Sequence, residues 1–241
     1  MSLPKRHHQR TGLDFSTFGF GGTPLALLDH NRDAGKAVDL VDAALAGGVG
    51  YLDVAPFYGA GLAEHRMGEA LIGRPRDAFI LSTKVGRLLR PGRDAPGPAL
   101  PFTPVFDYSH DGVMRSFEDS LNRLGVERID ILYVHDVSPR WAGDAIEERF
   151  RTVMDGGYKA LLKLRESGAI RAFGVGITDA DWCVRFAEAG DFDLFMLAGR
   201  YTLLDHSAHD RLLPLCRERS IGIVLAAPFN SGILATGAKP R

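Results

Sequence analysis

Four side chains stand where proton-transfer chemistry would need them. Asp53 closes the apolar run Tyr51-Leu52-Asp53-Val54-Ala55, and Tyr58 follows five residues later in Pro56-Phe57-Tyr58-Gly59. Lys84 lies in Leu81-Ser82-Thr83-Lys84-Val85-Gly86, and His135 in Ile131-Leu132-Tyr133-Val134-His135-Asp136. Each sits at or just past the end of a β-type run, and in a parallel α/β barrel those ends converge on one mouth. There Tyr58 would serve as acid and base, Lys84 would lower its pKa, Asp53 would hold Lys84, and His135 would orient the substrate oxygen. Singly, each residue has an ordinary explanation: Tyr58 as a half-buried loop aromatic, His135 as a satisfied core histidine. Lys84 is the hardest to dismiss, because an unpaired lysine buried at a strand end is costly.

The elements that must position these groups alternate along the chain. Strand-like runs lie near 17–22, 50–55, 79–84, 129–135, 170–176, 193–198 and 222–227. Amphipathic helical runs lie between them, over 34–46, 61–71, 111–124, 157–167, 179–189 and 207–219. Alternation of this kind predicts a parallel sheet covered by helices. Seven units in series favour a barrel, and the absence of G-x-G-x-x-G after the first strand disfavours a doubly wound dinucleotide fold. The stretch from Arg87 to Tyr108 holds Pro91, Pro96, Pro98, Pro101 and Pro104. It reads as a long irregular loop shaping a substrate pocket.

Bulk properties narrow the class. A chain of 241 residues can bury one sizeable core, and a net charge of −1 with both signs dispersed argues against nucleic acid as a partner. No apolar run is long enough to span a bilayer, and the basic start Lys5-Arg6-His7-His8-Gln9-Arg10 has no apolar core behind it, so it does not read as a signal peptide. Cys183 and Cys216 read as separate buried thiols in a reducing, cytoplasmic setting. The eight histidines have no metal-ligand spacing.

Several motifs, taken in order, resemble the aldo-keto reductase superfamily. Arg10-Thr11-Gly12-Leu13 followed by Phe18-Gly19-Phe20-Gly21-Gly22 is similar to its first hairpin and strand. Tyr58-Gly59 with Glu64 and Gly68 is similar to its helix after the second strand. Ser120-Leu121-Asn122-Arg123-Leu124-Gly125 before Ile129-Asp130 is similar to the entry to strand four. Ser167-Gly168-Ala169-Ile170-Arg171-Ala172-Phe173-Gly174-Val175 is similar to the entry to strand five. The resemblance spans essentially the whole chain. It implies a (β/α)8 TIM barrel in one domain over 1–241, with the eighth strand and last helices expected beyond Arg241. It also implies the tetrad Tyr58, Lys84, Asp53 and His135.

A nicotinamide cofactor, NADP or NAD, is further implied, since none of the tetrad side chains can carry a hydride. Gly21 and Gly22 are expected beside its ribose, with Asp53 near them. The turn Ala227-Pro228-Phe229-Asn230-Ser231-Gly232-Ile233-Leu234 is similar to the family's pyrophosphate loop, where small residues let amides approach an anion. The chain departs from the common pattern after strand five. There Gly174-Val175-Gly176-Ile177-Thr178-Asp179 replaces a Ser-Asn pair, which leaves Thr178 or Asp179 to hold the carboxamide.

Those departures, with Phe106-Asp107-Tyr108-Ser109, the His135-Asp136 pair and Gly199-Arg200-Tyr201-Thr202-Leu203-Leu204-Asp205, resemble the sugar dehydrogenase branch. The resemblance implies oxidation of an aldose such as L-fucose at C1, with Tyr58, His135 and Asp136 against the sugar, and a monomer or weak homo-oligomer. A general aldehyde, ketone or pyridoxal oxidoreductase is the competing reading. A cofactor-binding regulatory subunit is the remote one.

Overall fold

The computed structural model describes residues 3–27, 34–92 and 99–238. The chain opens with an antiparallel hairpin, β1 (Lys5–His8) and β2 (Leu13–Ser16). Then β3 (Phe20–Gly21), β4 (Tyr51–Asp53) and β5 (Ile80–Val85) form parallel neighbours. A second antiparallel ribbon follows, β6 (Arg87–Pro91) with β7 (Phe102–Phe106). The parallel series resumes with β8 (Ile131–His135), β9 (Ala172–Ile177), β10 (Leu194–Ala198) and β11 (Gly222–Ala226). Its spatial order is β3-β4-β5-β8-β9-β10-β11, so each strand lies beside the next one in the series.

Helices connect the strands. They are α1 (Thr23–Leu27), α2 (Ala34–Ala46), α3 (Leu62–Leu71), α4 (His110–Leu124), α5 (Pro139–Ala142), α6 (Ile146–Thr152), α7 (Tyr158–Glu166), α8 (Ala180–Ala189), α9 (Leu212–Glu218) and α10 (Ile233–Thr236). This is the β/α order of a TIM barrel, with seven of its strands among the described residues. No eighth strand pairs with β11 or β3 among the described residues, and β11 is only half-buried where β8 is fully buried.

The two-residue period of the strands sorts their side chains into two cores. Leu52, Leu81, Leu132, Val134, Phe173, Val175, Phe195 and Leu197 face outward beneath the helices. Tyr51, Ile80, Ile131, Tyr133, Ala172, Leu194 and Met196 face inward and meet one another, with Leu13 of the hairpin packed among them. The β1–β2 hairpin therefore plugs the N-terminal end of the barrel.

Several motif residues prove to be structural. The Glu64 carboxylate is wholly buried, accepting from the Thr83 hydroxyl at 2.7 Å and from Arg123 Nε at 2.5 Å. A Cβ on Gly68 would overlap the Leu124 backbone, so glycine lets α3 and α4 touch. Asp130 accepts from the Leu81 amide at 2.8 Å and from Arg76 Nη2 at 2.5 Å, tying β8 to β5 at the base of the barrel.

Four sequence expectations need correction. The first strand is shorter than 17–22, because Leu13–Ser16 pairs in the hairpin and only Phe20–Gly21 joins the barrel. The helix expected over 157–167 matches α7 but is only the end of a helical run that starts at Ile146. A π-helical turn at Val153–Gly157 joins α6 to α7, and it places Gly156 and Gly157 against the backbone of Tyr108–His110. The helix expected over 207–219 is shorter, at Leu212–Glu218. The proline-rich stretch after β5 is a hairpin rather than irregular loop, with Arg87 opposite Phe106 and Leu89 opposite Pro104. A two-stranded ribbon has an outward edge on both strands, so proline's missing N–H costs no ladder bond there. Pro96 and Pro98 lie outside the described residues.

Candidate active site

The last inward-facing residue of each central strand makes the site. Inward residues run Tyr51–Asp53 on β4, Ser82–Lys84 on β5, Tyr133–His135 on β8 and Gly174–Gly176 on β9. Asp53, Lys84, His135 and Gly176 thus lie toward the C-terminal mouth, Asp53 level with Ser82, Lys84 with Tyr133 and His135 with Gly176. A Cβ on Gly176 would make ordinary contact, 3.4 Å from Tyr133 Cβ and 3.7 Å from Lys84 Cε, so β9 passes directly beside the lysine chain.

Lys84 is 2% exposed and donates to Asp53 Oδ2 at 2.7 Å and to the Val54 carbonyl at 2.9 Å. Burial pulls its pKa down, but the Asp53 carboxylate and then Tyr58 outweigh that, and the net shift is upward. The ammonium persists at neutral pH. Asp53 Oδ1 accepts from the Ser82 hydroxyl at 2.7 Å, and Ser82 Oγ lies 2.9 Å from the Tyr51 hydroxyl. Tyr51 and Tyr133 are held as neutral phenols, because burial pushes both pKa values up. Below the site the barrel is therefore polar, satisfied and fixed.

Tyr58 follows β4 and is half-buried, with Lys84 Nζ 4.9 Å from its ring centroid. His135 stands edge-on to it, ring centroids 5.9 Å apart. The His135 pKa falls well below its ordinary value, from burial first and then from the Arg87 and Lys84 charges. The ring is therefore neutral and carries one proton. Nδ1 has no partner, whereas Nε2 faces Asp136 Oδ2 at 3.4 Å. The carboxylate favours the proton on Nε2, which makes that nitrogen a donor toward the mouth.

The structure brings Asp53, Tyr58, Lys84 and His135 together, with Asp136 beside His135. The expected cofactor residues collect on the same face. Gly21 ends β3 in open space, and the Gly22 amide donates to the Asp53 carbonyl at 2.6 Å. A Cβ on Gly22 would come within 2.9 Å of that carbonyl oxygen. The Thr178 carbonyl is taken by Arg200 Nε at 2.6 Å, and Asp179 caps α8 by accepting from the Trp182 amide. The turn after β11 is left-handed at Ala227, Asn230, Ser231 and Gly232. Its Asn230, Gly232, Ile233 and Leu234 amides already donate within the turn, to the Ala227, Phe229, Asn230 and Phe229 carbonyls. Asn230 Oδ1 is buried without a partner.

Sequence reasoning missed Ser82, Gly176, Arg87 and Tyr108. Ser82 carried a signal, being two residues before Lys84 on the same strand face. Arg87 and Tyr108 were hidden in a stretch read as irregular. Arg87 is buried, donates to Asp136 Oδ2 at 2.7 Å, and has Phe57, Trp141 and Phe106 ring centroids 3.9, 4.8 and 5.0 Å from its guanidinium carbon. The Tyr108 hydroxyl donates to the His135 carbonyl at 2.6 Å.

Comparison with known proteins agrees with this geometry. The pyridoxal 4-dehydrogenase of Microbacterium luteolum is 42% identical over 248 residues, covering 96% of this chain and 72% of that protein. The D-threo-aldose 1-dehydrogenase of a Pseudomonas species is 37% identical over 240 residues, covering 95% and 70%. Among solved structures, the aldo-keto reductase AKR11C1 from Bacillus halodurans in its holo form superposes with a TM-score of 0.78 at 25% identity, over 99% of this chain and 71% of that one. The model of the aldo/keto reductase family matches residues 17–240. With a tetrad at the C-terminal mouth of a β/α barrel, this chain belongs to the aldo/keto reductase family and is an oxidoreductase of that family.

Proposed function

We propose that this chain oxidises an aldose such as L-fucose at C1 to its lactone, with NAD or NADP as hydride acceptor. The observation that carries the reading is the buried Lys84–Asp53 pair beneath Tyr58, facing a neutral His135 that donates from Nε2. The 37% identity to a D-threo-aldose 1-dehydrogenase supports the sugar as substrate.

A nicotinamide cofactor fits the mouth through the open end of β3 at Gly21 and Gly22, with Asp53 beneath them. Thr178 and the left-handed turn carrying Ala227, Phe229, Asn230, Ser231, Gly232 and Leu234 would complete its contacts. Because most amides of that turn are already engaged, an incoming phosphate is met by Ser231, which is exposed, rather than by a full ring of N–H groups. The cofactor supplies hydride acceptance when bound. The chain's own residues do the rest. His135 Nε2–H holds the anomeric oxygen, so that C1 is fixed at the mouth. Tyr58 takes the proton from that hydroxyl as the C1 hydrogen leaves with its electron pair. Lys84 sets a positive charge 4.9 Å from the centre of the Tyr58 ring, and Asp53 with Ser82 keeps the ammonium in place. In reverse, the same groups return a proton to a carbonyl oxygen.

A second reading is oxidation of pyridoxal, favoured by the 42% identity to a pyridoxal 4-dehydrogenase. Parallel assays with L-fucose, pyridoxal and a simple aromatic aldehyde, each with NAD and NADP, separate the two. Tyr58→Phe removes only the hydroxyl, so turnover should fall by roughly 10²- to 10⁴-fold while cofactor affinity is kept. Wild-type turnover in that variant would refute the assignment.

A further inference from the structure

We infer that Arg87 and Asp136 together read a hydroxyl on the carbon next to the reacting one, and so make the enzyme selective for α-hydroxylated substrates. The inference rests on the proposed reaction but goes beyond it.

Asp136 is 8% exposed and sits in the left-handed region at φ 55°, unusual for a residue with a Cβ. Such a conformation costs on the order of 1–3 kcal/mol and persists only where surrounding contacts impose it. Those contacts are visible. The Asp136 amide donates to the Gly176 carbonyl at 3.0 Å, Arg87 holds the carboxylate, and Tyr108 holds the preceding carbonyl. Arg87 opens β6 and Tyr108 follows β7, so one hairpin clamps the His135–Asp136 step.

The clamp leaves the carboxylate in a specific place. Asp136 Oδ2 is 3.4 Å from His135 Nε2, longer than a good hydrogen bond. The imidazole N–H therefore remains available for the reacting oxygen, and an acceptor stands beside it. Oxygens on adjacent carbons of a diol lie about 2.8 Å apart when gauche, one hydrogen-bond length. A substrate oxygen on Nε2 thus brings a neighbouring hydroxyl to Asp136. Arg87 Nη2 is spent on Asp136, while its Nε and Nη1 are buried without a hydrogen-bond partner among the described residues. Aromatic rings line the pair: Phe57 from the segment after β4, Trp141 from α5 and Phe106 from the end of β7. Asp136 is the specificity-determining group and Arg87 is the positioning residue behind it.

The test compares kcat/KM for matched pairs, an aldose against its 2-deoxy analogue in oxidation, and glycolaldehyde against propionaldehyde in reduction. Sites built to bind a substrate hydroxyl reject analogues lacking it strongly, so the wild-type enzyme should prefer the hydroxylated member by ~10²-fold or more. Equal kcat/KM within each pair overturns the inference without any variant. In Asp136→Asn and Arg87→Met the ratio should collapse toward unity, with cofactor titration and melting confirming a folded protein. An equal loss on both members, leaving the ratio unchanged, would show a purely structural role and overturn it. If Arg87→Met does not fold, the wild-type ratios and Asp136→Asn decide. An enzyme that prefers glycolaldehyde but oxidises no aldose supports the hydroxyl reading while rejecting the aldose proposal. One that oxidises aldoses without regard to the 2-hydroxyl does the reverse.

Discussion

Replacing Lys84 with methionine keeps the length of the side chain and removes its charge. The ammonium is 2% exposed, and its loss strands the Asp53 carboxylate, itself 7% exposed, with the Ser82 hydroxyl as its remaining side-chain partner. Breaking a buried ion pair from one side costs about 3–5 kcal/mol, and the surviving Ser82 bond points to the lower end. At roughly 2–4 °C per kcal/mol for a domain of this size, Lys84→Met should melt some 6–12 °C early. Adding Asp53→Asn removes the orphaned charge, so the double variant should recover most of that stability. It should not recover turnover, because no cation then supports Tyr58, and kcat/KM should stay down by ~10²-fold or more in both. The pH dependence has a definite sign. A lysine whose folded pKa is raised stabilises fully below its unfolded value, near 10.5, and that contribution is lost only as pH rises through the folded value. Between pH 6 and 9 the melting gap should therefore be flat. Melting curves and steady-state rates of the two variants check this. Recovery of turnover in the double variant, or an unshifted melt in the single one, would refute the pairing argument.

The His135 ring, with its pKa depressed, binds its second proton less readily when folded than when unfolded. Stability should fall as pH drops below about 6.5, and His135→Asn should flatten the melting temperature between pH 7.5 and 5. A Cβ on Gly174 would collide with the Leu194 backbone in the adjoining strand, so Gly174→Ala should cost upwards of ~4 kcal/mol, read from its urea midpoint. Leu225, Phe229 and Ile233 lie exposed on and beyond β11, whose outer edge is unpaired among the described residues.

Much of this was legible in the residues. Strand and helix alternate in the sequence at spacings only a parallel β/α series satisfies, and Asp53, Lys84 and His135 each close an apolar run, which places them at one end of that series. The motifs around Glu64, Gly68, Arg123 and Asp130 were legible as motifs, but their work is packing and ion pairing rather than chemistry. What the sequence could not show is anything set by meetings between distant segments. Pro104 looks like a strand breaker until β7 is seen as half of an isolated ribbon, where a proline loses nothing. Arg87 looks like a surface cation until Asp136, forty-nine positions on, and three aromatic rings from three different segments close around it. Local periodicity reports which face of an element is buried, because that depends on the element's own geometry. Which charge finds which partner depends on how the strand ends are brought together, and that is fixed only when the barrel closes its core.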